Sequence, residues 1–318
     1  MPDISEINGN PVDNVGEVDA LSSISEIDAL AFPSFIGLFD DYPGAAAGYS
    51  VRRLNTLYTG ACMRVRRSSD NTEQNIGFDG NGELDTAALI SFVGPGNSGF
   101  VRTWFDQSQS GGTGVGKDLE QTAAARQPLI YNGTSIVTEN GKPAIDFDGV
   151  DDGLNNSTNV TSSSVANTVI TVSRIPVGSL IAQTFSFYRV QRHIQHTGFY
   201  SNKSISTNRV NNPYEKYGFI NLANQSLLFS WWNGNTSGSL FDEIFLDQNS
   251  VSQSSTAASG GYAVTPSGSN CIGFRSDTNN QFVNGVYQEV ILYIRDQDAE
   301  AKKTGIEKNV NEYYRVYQ

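Results

Sequence analysis

The feature that most constrains this fold is a series of short runs rich in β-branched and aromatic residues, separated by turn sequences. The runs include ACMRVRR, FVRTWFD, PLIYNG, PAIDFDG, NTVITVSRI, SLLFSWWNG, NCIGF and GVYQEVILYIRD. Asn-Gly dipeptides, which favour hairpin turns, occur at Asn132-Gly133, Asn140-Gly141, Asn233-Gly234 and Asn284-Gly285. Many short strands with few helices predict an all-β sandwich of two antiparallel sheets.

Three segments have the apolar spacing of a short helix. The first is GYSVRRLNTLY, with Val51, Leu54 and Leu57 on one face, and the second is LDTAALISFVG, which begins at Leu84. The third closes the chain, with Asp296 or Asp298 as its candidate N-cap and apolar positions at Ile306, Val310, Tyr313, Tyr314 and Tyr317.

The net charge of −12 excludes the usual nucleic-acid partners, because phosphate binding needs a cationic surface. No segment is apolar for long enough to span a bilayer, so membrane insertion is not expected. The acidic start, MPDISEING, lacks the apolar stretch of a signal peptide.

The two cysteines, Cys62 and Cys271, both lie in apolar runs. Either they are buried free thiols, or they form one disulfide across the sandwich. His193 and His196 are close in sequence, but no further Cys or His lies near enough to predict a zinc site.

Residues 1–40 contain three similar phrases, which begin at Ile4, Val15 and Ile24. So short a segment cannot build its own core. It is either a partly disordered acidic tail or a docking segment that adds strands to a neighbour, and the repeated apolar positions favour docking. The predicted organisation is a docking segment at 1–40 and one sandwich domain at 41–318.

An acidic cluster in FDGVDDG offers candidate metal ligands. Its carboxylates belong to Asp146, Asp148, Asp151 and Asp152. Clustered oxygens around a glycine can hold calcium, with Asp148, Asp151 and Asp152 as the ligands, although the spacing lacks the full EF-hand pattern. The alternative is a solvated turn, and no other cofactor is predicted.

Four motifs occur in a specific order between about Ala47 and Gly153: YSVRRL, RVRRSSDN, WFDQSQSGG and GKPAIDFDG. Together they resemble the catalytic domain of the α-L-arabinofuranosidase B family. The resemblance implies a concanavalin-like jelly-roll sandwich, which occurs in fungal glycosidases and more loosely in many phage and bacterial proteins.

Two of these motifs have both a structural and a ligand-binding interpretation. In RVRRSSDN, alternation puts Val65 on one face and Arg64 and Arg66 on the other, where they form salt bridges or contact a sugar or anion. In TWFDQSQSGG, either Trp104 or Phe105 faces outward, so Trp104 is a core residue or a stacking surface for a sugar ring.

Asp106 and Gln107 follow in the same motif. They are expected to hold the glycine-rich stretch through backbone hydrogen bonds.

The resemblance also implies where two catalytic carboxyl groups should lie. A retaining glycosidase needs two carboxyl groups about 5–5.5 Å apart. The family's acid/base aspartate corresponds to Asp277, after the strand CIGF. Its nucleophilic glutamate falls within FINLANQSLLFS, residues 219–230, which contains no carboxylate and has Ala223 and Asn224 at the expected place. The nearest alternatives, which need a register shift, are Glu215, Asp242 and Glu243.

Trp231 and Trp232 are neighbours in one predicted strand and therefore point to opposite faces. An exposed one, beside the Asn and Ser groups of SWWNGNTSG, would suit a sugar, together with Trp104 and Asp277. The alternative is that both tryptophans are packed.

The ISEING phrases resemble short tags at the start of phage structural proteins, and this resemblance implies a non-catalytic phage virion protein, as a fibre, decoration or adhesion component assembled in the host cytoplasm. Residues 1–40 would dock on other virion proteins, and the sandwich would project outward and bind host surface glycans. Repeated copies in a particle favour a homo-oligomer. The alternatives are a glycosidase or depolymerase acting on host polysaccharide and a bacterial sugar-binding module.

Overall fold

The computed structural model describes residues 6–7, 10–11, 35–108, 117–156, 167–176, 192–195, 203–204, 206–209, 214–219, 224–232, 244–252, 255–259, 270–274, 282–294 and 300–318. The chain divides into two units, Met1–Ser34 and Phe35–Gln318. In the first unit, β1 (Glu6–Ile7) pairs antiparallel with β2 (Asn10–Pro11). The repeats at Val15 and Ile24 lie outside the described residues.

The second unit contains most of the strands and all of the described helices. Its strands are β3 (Ala45–Ser50), β4 (Met63–Arg67), β5 (Glu73–Ile76), β6 (Ser98–Trp104), β7 (Leu119–Glu120), β8 (Leu129–Asn132), β9 (Thr138–Glu139), β10 (Lys142–Pro143), β11 (Ile145–Asp148), β12 (Leu154–Asn156), β13 (Asn167–Arg174), β14 (Arg192–Gln195), β15 (Lys203–Ser204), β16 (Ser206–Arg209), β17 (Tyr214–Phe219), β18 (Ser226–Trp232), β19 (Ile244–Gln248), β20 (Val251–Ser252), β21 (Ser255–Ser259), β22 (Asn270–Ile272) and β23 (Asn284–Ile294). Its helices are α1 (Leu38–Asp41), α2 (Thr86–Val93), α3 (Glu300–Tyr314) and a 3-10 turn at Ala124–Arg126.

One large antiparallel sheet curls into a jelly-roll sandwich. Its strand order is β20-β19-β18-β13-β23-β11-β8-β6-β7-β12-β22, with β3 on β23 and with β4 joining β5 to β6. Smaller sheets are formed by β14 with β16 and by β15, β17 and β21. The predicted all-β jelly-roll class is confirmed, and each of the apolar runs quoted above contains one of these strands.

The second unit begins before the predicted domain boundary at residue 41. Leu38 and Phe39 of α1 are buried in the same core as the sandwich strands. Residues 35–40 therefore belong to the sandwich.

Strand β23 is central to the sheet. One edge pairs with β13, and the other pairs with β11 and then with β3. The predicted turn at Asn284-Gly285 is wrong, because these residues begin β23. A Cβ on Gly285 would lie 2.5 Å from the Arg174 carbonyl oxygen, so this glycine permits a close backbone approach within the sheet.

Other predicted turns are confirmed. Asn140 and Gly141 both have positive φ, 48° and 77°, as a two-residue hairpin requires, and they connect β9 to β10. A further turn, in the RVRRSSDN motif, has Asn71 with φ 59° between β4 and β5. Gly133, with φ 91°, follows β8, whereas Asn233-Gly234 lies outside the described residues.

Two predicted helices are confirmed. The Asp85 side chain caps α2 by accepting from the Ala88 N–H at 2.9 Å. In α3, Ile306, Val310 and Tyr314 are fully buried at helical spacing. The candidate caps Asp296 and Asp298 lie outside the described residues. No described helix combines the length and apolar character needed to cross a membrane.

The helix predicted over GYSVRRLNTLY is wrong. Its first residues complete β3, and residues 51–58 follow without a helix. Val51 and Leu54 are buried, but Leu57 is 68% exposed. Pairing of β3 with the distant β23 outweighs the local helical spacing.

Candidate functional site

Both ends of the segment that contains Asp277 are anchored at one place on the sandwich. Residues 275–281, including Asp277, lie outside the described residues. Phe274 and Phe282 form an antiparallel bridge, and their ring centroids are 6.3 Å apart. The Val283 N–H donates to the Gly273 carbonyl at 2.7 Å. These contacts define the base from which the Asp277 segment departs.

An acidic turn follows β11 next to this base. Asp148 Oδ1 accepts from the Val150 N–H at 2.8 Å and from the Asp151 N–H at 3.3 Å. Asp152 Oδ2 accepts from the Asp148 N–H at 3.0 Å. The carboxylates therefore fix the turn through its own backbone donors.

Close packing joins the acidic turn to the base of the Asp277 segment. A Cβ on Gly153 would lie 2.2 Å from Phe274 Cδ1, so no larger residue fits there without movement of the ring. The Arg126 guanidinium lies 5.9 Å from the ring centroid of Phe274 and 5.5 Å from that of Phe282. Arg126 Nε also donates to the Asp151 carbonyl at 2.9 Å. We call this group the loop-base site; it comprises Arg126, Asp148, Asp151, Asp152, Phe274 and Phe282.

The loop-base site contains a carboxyl group that titrates near neutrality. Burial raises the pKa of Asp152 to about 7, and the neighbouring charges of Asp148, Asp151 and Asp146 act in the same direction. Burial also raises the pKa of Asp146. Asp152 can therefore take up or release a proton at neutral pH, at the end of the sandwich where the Asp277 segment is anchored.

The acidic turn also has the donor chemistry of a cation site. One carboxylate oxygen from each of Asp148, Asp151 and Asp152 lies within 4.8 Å of the others, and no other such group occurs among the residues that the structure describes. Oxygen ligands suit calcium, which takes about 6–8 of them. These three residues would supply the protein's part of that shell, and calcium binding stays a prediction.

Trp104 does not provide a sugar-stacking surface, contrary to that interpretation of the sequence. Its side chain is fully buried, and its Nε1 donates to the Ser50 carbonyl at 3.3 Å. Trp104 packs toward the core while the next residue, Phe105, is partly exposed. Strand alternation was the right argument, and Phe105 is the outward-facing ring.

Trp231 and Trp232 lie at the end of β18, between β13 and β19. Trp231 pairs with Thr168 on one side and with Phe245 on the other. Their side chains lie outside what the structure describes. Binding of a sugar by either tryptophan therefore stays a prediction.

The region where the family's nucleophile would fall is partly described. Residues 220–223, including Ala223, lie outside the described residues, whereas Asn224 is exposed just before β18. Of the alternative carboxylates, Glu215 lies on β17, where it pairs with Ala258. Asp242 and Glu243 lie outside the described residues.

The cysteines are free and buried. Cys62 Sγ donates to the Ser50 carbonyl at 3.2 Å, and Cys271 Sγ donates to the Phe274 carbonyl at 2.9 Å. Of the two alternatives, the free-thiol one is therefore confirmed. His193 lies on β14 opposite Asn208, and His196 lies outside the described residues.

Asp106 holds the first residue of the following stretch, Ser108, as expected, and Asp106 and Gln107 also hold a second segment; residues 109–116 lie outside the described residues. Asp106 Oδ1 accepts from the Gly48 N–H at 2.7 Å and from the Ser108 N–H at 3.0 Å. Gln107 accepts from the Leu54 N–H at 2.8 Å and donates to the Ser50 carbonyl at 2.9 Å. The pair therefore fixes β3 and the chain after it.

Asp118, a partly buried carboxyl group whose pKa is raised, was not singled out from the sequence. Asp118 Oδ1 accepts from the Asp106 N–H at 2.9 Å, and burial raises the pKa of Asp118 to about 6. No local motif marks Asp118, because pairing of β6 with β7 creates its environment.

No protein-family model and no curated protein matches this chain. Solved structures do match: an arabinofuranosidase complexed with arabinofuranosyl-α-1,2-xylobiose, with a TM-score of 0.55, and a GH54 α-L-arabinofuranosidase soaked with a cyclic sulfate inhibitor, with a TM-score of 0.53. Each is 15% identical, and each match covers 86% of this chain and 64% of the other. The chain therefore has the β-sandwich fold of these arabinofuranosidase structures, as the sequence motifs implied.

Proposed function

We propose that this chain is a carbohydrate-binding β-sandwich that does not cleave glycosidic bonds. Its support is the fold shared with arabinofuranosidase structures, one of which is complexed with a saccharide. The observation that carries the non-catalytic part is the absence of any carboxylate from residues 219–230. Without a nucleophile opposite Asp277, double displacement cannot proceed.

A glycosidase is the second candidate, and the acidic turn favours it. Asp152 has a pKa of about 7 and lies beside the base of the Asp277 segment. A carboxyl group with such a pKa suits general acid catalysis near neutral pH. In this alternative Asp152 would protonate the leaving oxygen, and Asp277 would act as the nucleophile and not as the acid/base that the resemblance implied.

The proposal includes a role in a phage virion, with the N-terminal segment docking on other virion proteins. Its support is the repeated phrases at Ile4, Val15 and Ile24. Because Leu38 and Phe39 belong to the core, deletion of residues 1–34 is the appropriate test. We expect the shortened chain to fold and to fail to enter particles; normal incorporation would refute docking.

Assays of polysaccharide hydrolysis and of glycan binding distinguish the binding protein from the glycosidase. The full chain is incubated with arabinan, arabinoxylan and bacterial surface polysaccharide, while glycan retention is measured by affinity electrophoresis. We expect retention without release of reducing sugar. Release that disappears in both Asp277→Asn and Asp152→Asn would replace the binding proposal with the glycosidase.

A further inference from the structure

The outer face of β4, β5 and β6 carries arginines and aromatic rings in fixed positions. Val65 is fully buried, and the residues on either side of it, Arg64 and Arg66, lie on the opposite face of β4. We call the surface the arginine face; it comprises Arg64, Glu73, Phe100, Arg102, Phe105 and Glu120.

Arg66 lies on the same face of β4 as Arg64, but the protein's own groups hold it. It is 8% exposed and lies 4.8 Å from the ring centroid of Phe100, its cross-strand neighbour. Its guanidinium donates to Gln127 Oε1 at 2.6 Å, to Asn71 Oδ1 at 2.9 Å and to the Ala124 carbonyl at 3.0 Å. All of its nitrogens are used, so Arg66 has the structural role.

Arg64 and Arg102 differ from Arg66, because each keeps donors for a ligand. Arg64 Nε donates to Asn75 Oδ1 at 2.9 Å, and its guanidinium lies 5.9 Å from the Phe105 ring centroid. Arg102 Nη1 donates to Glu120 at 3.2 Å. Within the described part of the chain, both Nη groups of Arg64 and Nη2 of Arg102 make no hydrogen bond.

Acceptors lie beside these donors. Glu73 is 3.7 Å from Arg102 Nε, and the side chains of Glu73 and Glu120 are 36% and 50% exposed. Both ion pairs belong to Arg102, and Arg64 lies near the carboxylate of Asp118, so charges of both signs share this surface.

Charge complementarity points to an uncharged ligand rich in hydroxyl groups. Each sugar hydroxyl both donates and accepts, so it can bridge a guanidinium and a carboxylate. The partly exposed Phe105 ring offers an apolar surface for sugar C–H groups. The net charge of −12 disfavours an anionic polymer.

We propose that the arginine face binds a neutral glycan, with Arg64 and Arg102 as donors, the glutamates as acceptors and Phe105 as the stacking ring. This inference rests on the proposed carbohydrate-binding function. It assigns that function to the sheet face around β4, separate from Trp231 and Trp232.

The test compares the full chain with Arg64→Gln/Arg102→Gln, using arabinan, arabinoxylan and polygalacturonate as probes in affinity electrophoresis. Arg67→Gln is the matched control, because Arg67 pairs with Asp70 in the adjoining turn. We expect the double variant to bind the neutral polysaccharides at least about tenfold more weakly and the control to bind normally. Binding should change little with salt, because charge screening does not weaken contacts to neutral groups.

Each other outcome identifies what fails. If the wild-type chain retains no glycan, the proposed function itself is wrong. Normal retention by the double variant, with loss in Trp231→Ala or Trp232→Ala, would overturn only the present inference. If the chain bound only polygalacturonate, and if salt weakened that binding, the claim that the ligand is neutral would be wrong. If the double variant does not fold, Phe105→Ala provides the same comparison.

Discussion

Arg52 and Glu289 form a bidentate ion pair inside the sandwich. Arg52 Nε and Nη2 donate to the two oxygens of Glu289 at 2.8 and 3.1 Å. The Glu289 side chain is fully buried, and Ser50 Oγ also donates to it at 2.8 Å. The pair fixes the chain after β3 against the middle of β23.

Removal of one partner should be strongly destabilising. In Glu289→Gln the buried guanidinium loses its counter-charge, so we expect a loss of about 3–5 kcal/mol in the free energy of unfolding. Urea denaturation of the purified variant measures it. Lys308→Ala is the control, because its exposed pair with Glu312 should contribute less than about 1 kcal/mol. Equal effects from the two substitutions would contradict the structure.

Asp152 should make stability depend on pH. Its folded-state pKa of about 7 is above the ordinary value of 3.8, so protonation favours the folded state. This contribution is fully present below pH 3.8 and is lost as pH rises through about 7. In Asp152→Asn the side chain stays uncharged and still accepts from the Asp148 N–H.

The difference in stability between the wild type and Asp152→Asn reports on Asp152, because the other carboxyl groups are the same in both proteins. We expect the wild type to lose stability relative to Asp152→Asn between pH 5 and pH 8, as measured by urea midpoints. Parallel pH profiles would show that Asp152 is ionised throughout the range.

Gly153 should control the position of Phe274 and hence the base of the Asp277 segment. In Gly153→Ala the new methyl group meets the ring, and we expect a loss of about 1–3 kcal/mol. Gly77→Ala is the matched control, because a Cβ there meets nothing within 4 Å. Limited proteolysis should cut the Gly153 variant faster within 275–281; unchanged cleavage would show that the ring adjusts freely.

Both cysteines should resist thiol reagents in the native protein. Cys62 and Cys271 are fully buried, and burial raises the pKa of the Cys62 thiol, which lowers its thiolate fraction. We expect no reaction with Ellman's reagent until urea unfolds the chain, and then reaction of both thiols. The absence of any reactive thiol after unfolding would indicate a disulfide, and reaction of the native protein would contradict the burial of the thiols.

The strands could be predicted because their signal is local. A run such as NTVITVSRI is β-branched and apolar on both faces, and it forms the interior strand β13. The errors arose where a distant partner decides the conformation. The segment GYSVRRLNTLY has helical spacing at Val51, Leu54 and Leu57, but its first three residues belong to β3, which pairs with β23.

The site was predicted only in part, for a related reason. FDGVDDG marked the acidic turn correctly as a cluster, but nothing local indicated that Phe274 and Arg126 would pack beside it. No local pattern in GVYQEVILYIRD marks Glu289 as buried. Its burial depends on Arg52, which lies 237 residues earlier in the chain.

The pairing of Ser50 with Glu289 joins residues 239 positions apart. During synthesis, β3, β11 and β13 all appear long before the strand that joins them. Their edges stay open until β23 is available, and open strand edges pair readily with other chains. Folding should therefore be slow and dominated by late, non-local pairing. Chains truncated before residue 284 lack β23 and should therefore aggregate when they are expressed, although all of their other strands are present.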